Sequence, residues 1–236
     1  MLKNNAPRIG ILAWEGTLVP PGLMQLEKLK GNSTNPDTYD FPVLIRRVEG
    51  ASAETIVINP DEVVLKRMVS VMEEMIAEGV KAITTSCGFN AIHQKRLADA
   101  VNVPVFTSSL MQIPFVLSTL KEGQSVAVLT ARKASLTPLH FRNCGIDDAA
   151  LVHVMGMEEW EEWAKVLDSN VPEVDMDLIE QEMIEAALLA KQQHPDVGAF
   201  ILECTDMPPF ARSIRETTGL PVFDFITLVN YVNEAV

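Results

Sequence analysis

VKAITTSCGFN (residues 80–90) and VGAFILECTDM (residues 197–207) lie 117 residues apart in a chain of 236. Each is an apolar run that ends on a cysteine and then breaks into small or polar residues. Laid over one another without a gap, Val80 meets Val197, Ala82 meets Ala199 and Cys87 meets Cys204. The match runs on, because Pro104, Val105 and Phe106 fall on Pro221, Val222 and Phe223. The same offset lays RIGILA (8–13) over SVAVLT (125–130). Two separate windows that agree at one shift indicate an internal repeat, and so two similar α/β halves.

The rest of the chain fits that reading. Short β-branched runs predict strands at 8–13, 43–48, 81–86, 104–106, 125–130, 151–154, 198–203 and 221–223. Amphipathic segments separate them. From about Asp61, Val64, Met68, Met72 and Met75 share one helix face; from about Asp175, Ile179, Met183, Ala187 and Ala190 do the same. These stripes read as core. Strands alternating with helices imply parallel sheets built from βαβ units. The expected domains are 1–111 with 227–236, and 112–226. One long polar loop, KGNSTNPDTYDFP (30–42), has a length that is often functional.

Composition narrows the function. The net charge of −13 opposes nucleic acid and anionic membranes as partners, since both require clustered Lys and Arg. An anionic substrate must therefore be held by local donors. The longest uncharged window, 100–120, is interrupted by Pro104, Pro114 and several polar residues, so strand plus buried helix is expected rather than a membrane span. Lys3 and Arg8 precede only a short apolar run, closed by Glu15, which is too short for a signal peptide. Three cysteines without metal-type spacing suggest free thiols in a reducing, cytoplasmic setting. The four histidines are scattered and lack H-x-x-x-H spacing, so no metal is expected. No glycine-rich phosphate loop occurs, and no nucleotide cofactor is indicated.

Ligands of open parallel sheets bind beyond the carboxyl ends of the strands. Cys87 and Cys204 are both expected there, each just before a helix. Helix N-termini favour thiolate and can bring a thiol pKa down to about 3.5–7.5. Two such groups facing one carbon could remove a proton from one side and return one to the other. The plainer reading is a small buried filler. It suits Cys144, which precedes a glycine and has no counterpart in the repeat. In TARKAS (130–135), Thr130 and Ser135 could hold an anion, or the segment is an ordinary turn. Glu203 and Ser86 flank the cysteines and, by strand alternation, are expected to point away from the cleft. Trp160 and Trp163 read as core or subunit contact, with a lid as the alternative.

TTSCGFN (84–90) and LECTDMPPFA (202–211) resemble the cofactor-independent aspartate/glutamate/hydantoin racemase superfamily, and the resemblance spans the chain. It implies two flavodoxin-like α/β domains related by a pseudo-twofold, with the site in the cleft between them. It implies two-base proton transfer by Cys87 and Cys204 next to a carboxylate, on a small acidic amino acid or related acid, with no cofactor and no metal. Thr205 matches a threonine that binds a substrate carboxylate, and Gly88 and Asn90 follow the first cysteine. Where glutamate racemases place an Asp after the first strand, this chain has Trp14 with Glu15. Where they place a His after the second cysteine, it has Asp206. Relatives decarboxylate arylmalonates or isomerise maleate. A nucleophilic cysteine and a non-catalytic anion-binding protein therefore stay open, as does a homo-oligomer.

Overall fold

The computed structural model describes residues 6–236. Lys3 and the start of the first expected domain lie outside them. Eight strands form two sheets: β1 (Ile9–Ala13), β2 (Val43–Arg47), β3 (Ala82–Thr85) and β4 (Val105–Phe106), then β5 (Ser125–Thr130), β6 (Val152–Gly156), β7 (Val197–Leu202) and β8 (Val222–Phe223). The helices are α1 (Pro21–Leu26), α2 (Glu62–Ala77), α3 (Gln94–Ala100), α4 (Ile113–Thr119), α5 (Pro138–Asn143), α6 (Glu161–Val166), α7 (Met176–Gln193), α8 (Ala211–Thr218) and α9 (Phe225–Ala235). All eight strands lie where the apolar runs predict them.

Every strand pairing is parallel, and the two sheets share one order, β2-β1-β3-β4 and β6-β5-β7-β8. The repeat extends to the register. Ile9 pairs with Ala82 and Ile83 with Val105; 117 residues later Val126 pairs with Ala199 and Phe200 with Val222. The outer strands β2 and β6 break the offset, for Ile9 faces Val43 while Val126 faces Val152. The first half carries the longer connection there, and the 30–42 loop lies within it.

The inner strands are buried on both faces, which explains their uninterrupted apolar sequence. Capping places the long helices. Asp61 accepts from the backbone N–H of Val63 and Val64, and Asp175 from those of Asp177 and Leu178, so α2 and α7 start where their carboxylates close the first turn. Val64, Met68, Met72 and Met75 are buried as the periodicity requires, and so are Ile179, Met183, Ala187 and Ala190. The uncharged window resolves into β4 and α4. Phe225, Leu228 and Val229 of α9 return to pack with Ile9, Ile11 and Ala82, closing the chain's end onto the first sheet. No helix among the described residues is long and apolar enough to cross a membrane.

Candidate active site

Cys87 and Cys204 follow the carboxyl ends of β3 and β7 and line one cleft. The repeat positions both. Ser86 N–H donates to the Leu12 carbonyl at 2.8 Å, and Glu203 N–H donates to that of Leu129 at 2.8 Å, so the residue before each thiol is held alike. In the first half Thr85 Oγ1 also donates to the carbonyls of Cys87 (2.9 Å) and Thr107 (3.0 Å), fixing the turn that presents the sulfur. Across the halves, Thr205 Oγ1 donates to the Ser86 carbonyl at 2.6 Å. Cys87, Cys144 and Cys204 are all free thiols.

The two sulfurs have different partners. Cys204 Sγ donates to Asp206 Oδ2 at 3.6 Å. Asp206 Oδ1 accepts from Asn32 Nδ2 at 2.7 Å. Asn32 arrives on the 30–42 loop, which also docks through Ser33 N–H to the Thr205 carbonyl (3.3 Å) and is braced internally by Tyr39 OH donating to the Ser33 carbonyl (2.6 Å). Gly31 lets the loop pass. Its φ is +106°, and a Cβ there would sit 3.0 Å from the Pro209 backbone. Cys87 has no carboxylate acceptor. The buried indole N–H of Trp14 makes no full hydrogen bond, yet stands near enough to favour the Cys87 thiolate, as does the Phe89 backbone N–H.

Electrostatics overturn one expectation. Burial, and then Glu203, push the Cys87 thiol well above its ordinary range; burial, Asp206 and Glu203 do the same to Cys204. The expected thiolate at a helix N-terminus is absent because the turn after Cys87 is a 3₁₀ segment (Gly88–His93) and desolvation outweighs its few N–H groups. Burial raises Asp206 to about 6, with Asn32 opposing and Glu27 adding to the rise. Burial raises Glu203 to about 8, against a hydrogen bond from Thr130. At neutral pH these directions favour two thiols and an ionised Asp206 in the resting cleft, with a protonated Glu203 behind it.

The other sequence-derived residues divide. Trp14, Gly88, Thr205 and Asp206 line the cleft with the cysteines. Glu15 does not; its carboxylate accepts from Gly50 N–H at 2.6 Å and Thr17 Oγ1 at 2.8 Å, closing a turn. Thr130 is buried behind the cleft, donating to Glu203 Oε2 at 2.7 Å. Ser135 is also outside the lining, in a short turn whose Arg132 faces the cleft instead. Asn90 is buried, its side-chain oxygen unpartnered, and not in the lining. Ser86 borders the cleft rather than turning away. Cys144 is the buried filler expected, with burial pushing its thiol to about 12.

One residue escaped the sequence reading, and two that it named have a further part in the site. Arg132 is the cation of the cleft lining, and no carboxylate among the described residues pairs with it. Trp163 is core, as expected, but it also forms cleft wall beside Trp14 and Phe89. Glu203 turns away from the cleft as expected, yet lies fully buried with Oε1 unpartnered. It packs so closely on Gly88 that a Cβ there would meet its carbonyl and carboxylate oxygens at 2.3 Å.

No family model matches the chain. It is 29% identical to a dimethylsulfoniopropionate lyase of Durusdinium sp. clade D over 98% of this chain and 83% of that protein. It is also 29% identical to dimethylsulfoniopropionate lyase 3 of Emiliania huxleyi, over 98% of this chain but only 60% of that longer protein. Among solved structures, allantoin racemase from Pseudomonas fluorescens superposes with a TM-score of 0.65 at 18% identity, covering 97% of this chain and 89% of that one. A glycine-to-cysteine mutant of arylmalonate decarboxylase follows at 0.57 and 15%, covering 96% and 92%. The aspartate racemase of Picrophilus torridus, at 0.55 and 17%, covers 92% and 88%. The chain therefore shares the fold of these racemases and of arylmalonate decarboxylase.

Proposed function

We propose that this chain is an enzyme that takes a proton from the carbon next to a carboxylate, and that its reaction is elimination from a β-sulfonio acid such as dimethylsulfoniopropionate. The observation that carries the reading is the composition of the cleft. Two thiols from the two halves share it with one arginine and three aromatic side chains, Trp14, Phe89 and Trp163. Arg132 suits a carboxylate. Aromatic faces suit a sulfonium, which they attract as they attract quaternary ammonium ions. The relatives' names supply the same zwitterion.

The residues divide the work unequally. Asp206, ionised above about pH 6, accepts the proton of Cys204. The Cys204 thiolate then takes the substrate's α-proton. The C–H electron pair becomes the carbon–carbon double bond as the β-carbon–sulfur bond breaks and its pair stays on sulfur. The products are acrylate, dimethyl sulfide and a proton. The sulfonium leaves as a neutral sulfide, so no acid is required at the leaving group. Cys87, a thiol without an acceptor of its own, serves as a hydrogen-bond donor to the enolate-like carboxylate. Arg132 lowers the energy of the same charge.

A second reading is racemisation, supported by the fold and by thiols entering from both halves. There Cys87 would return a proton to the opposite face of the carbon. Incubation with dimethylsulfoniopropionate, read by headspace gas chromatography, and with small chiral acids in deuterated water, read by NMR, separates the two. Dimethyl sulfide supports elimination. Deuterium at the α-carbon without elimination supports racemisation. Neither signal, from a folded protein, refutes both.

A further inference from the structure

His153, His194 and Asp196 come from three separate elements and meet at the amino-terminal edge of the second sheet, at the opposite strand ends from the thiols. His153 is the second residue of the outer strand β6, His194 caps the C-terminal end of α7, and Asp196 immediately precedes β7. Pairing of both β6 and β7 with β5 brings them together, for Ala127 faces His153 while Ser125 faces Val197. Forty-one positions separate the two histidines, so no spacing motif marks them in the sequence.

The two imidazoles lie parallel, with centroids 3.6 Å apart and 6° between the ring planes. His153 Nε2 is 3.4 Å from Asp196 Oδ2. One donor atom from each residue lies within 4.8 Å of the other two. Both histidines are half-buried and Asp196 is exposed, so the donors are held by the fold and open to solvent. The 3.4 Å separation is long for a hydrogen bond, which prefers about 2.7–3.2 Å. It matches the edge of a tetrahedron whose ligands stand about 2.0–2.1 Å from a central ion, an edge of about 3.4 Å. The His153–Asp196 pair therefore already stands at ligand spacing, and His194 lies within 4.8 Å of both, its ring having to turn out of the stack to bring its lone pair to the same ion. His153 and His194 border a groove that shares no residue with the thiol cleft.

We propose that His153, His194 and Asp196 bind a divalent transition metal ion, with zinc the first candidate and a water as fourth ligand. The ion clips the outer strand β6 to the turn between α7 and β7. Two imidazoles and one carboxylate suit zinc, copper or nickel and not magnesium, which prefers an all-oxygen octahedron. The site is structural and independent of the reaction proposed for the cleft.

Isothermal titration of the full chain with ZnCl2 tests it, in a Cys87→Ser/Cys204→Ser background so that the cleft thiols cannot supply the heat, the remaining Cys144 being buried. One ion per chain is expected, with no heat from MgCl2. His194→Ala and Asp196→Asn should each weaken binding at least tenfold, and His153→Gln should match His194→Ala. Melting in EDTA is expected to be unchanged by the three substitutions, while added ZnCl2 raises the Tm of the parent alone. No zinc binding by the background protein overturns the proposal. So does undiminished binding by both histidine variants.

Discussion

The two halves of the molecule agree in register strand for strand at their centres and disagree around their thiols. Leu12 and Leu129, Ser86 and Glu203, Cys87 and Cys204 are equivalent by position and by backbone hydrogen bond. Yet Cys204 has a carboxylate two residues on that accepts its hydrogen bond and an asparagine from the other half to orient it, while Cys87 has no such acceptor, and only the N–H groups of Phe89 and Trp14 favour its thiolate. The difference traces to one of the two connections where the repeat fails, the other being the longer β6–β7 link of the second half. The first half carries a longer β1–β2 connection, and its loop crosses to the second half to place Asn32 on Asp206. A duplicated scaffold supplies two matching strand ends, and one unmatched loop gives them different chemistry.

If that asymmetry is functional, removing the two thiols should not be equivalent. Cys204→Ser should lower kcat by about 10³–10⁴, the upper part of the roughly 10²–10⁴ range for loss of an acid–base group. Cys87→Ser should cost about 10²-fold, as for one donor to a developing anion. Equal losses would erase the distinction and favour racemisation, in which both thiols carry protons. Asp206→Asn should cost roughly 10- to 100-fold. It should also remove the acid limb of the pH profile, because Asp206 protonates as pH falls through about 6 and then cannot accept from Cys204. A limb that persists in this variant would assign it elsewhere.

Glu203 sharpens the comparison from behind the cleft. As pH rises through about 8 it ionises and sets an anion beside both sulfurs, opposing thiolate formation. Glu203→Gln should speed iodoacetamide labelling of both thiols several-fold above pH 8, with little change at pH 6.5. Stability carries the same sign. A carboxyl whose pKa is raised by folding contributes its stability at low pH and loses it as pH climbs through the folded value. The Tm gap between Glu203→Gln and wild type should therefore favour the variant at pH 9 more than at pH 5. The smallest effect expected is from Gly31→Ala, about 1–2 kcal/mol of destabilisation from a residue forced to positive φ against Pro209. Activity should fall with it if the loop positions Asp206, and should not if the loop merely covers it.

Much of the fold was legible because the inner strands of a parallel sheet are buried on both sides and so read as plain apolar runs. The starts of α2 and α7 were legible because Asp61 and Asp175 cap them. The site was legible only at its centre. Cys87 and Cys204 are strand-end residues, which local sequence can locate. Asn32 acts across 174 positions, a contact that no local pattern encodes. Arg132 was hidden behind Thr130 and Ser135 because the turn's local sequence does not say which side chain enters the cleft. The thiol pKa values were misjudged for a related reason. Helix position is a local property, whereas desolvation depends on what the other half packs against the sulfur.

Proton NMR of dimethylsulfoniopropionate incubated in deuterated water with wild-type protein and with Cys204→Ser tests the central claim most directly, since one spectrum reports both elimination and exchange. The account predicts acrylate signals with the wild type, and neither acrylate nor loss of the α-proton signal with the variant. An unchanged spectrum with the folded wild type, or a variant that matches it, would contradict the claim that the sulfur of Cys204 takes the α-proton.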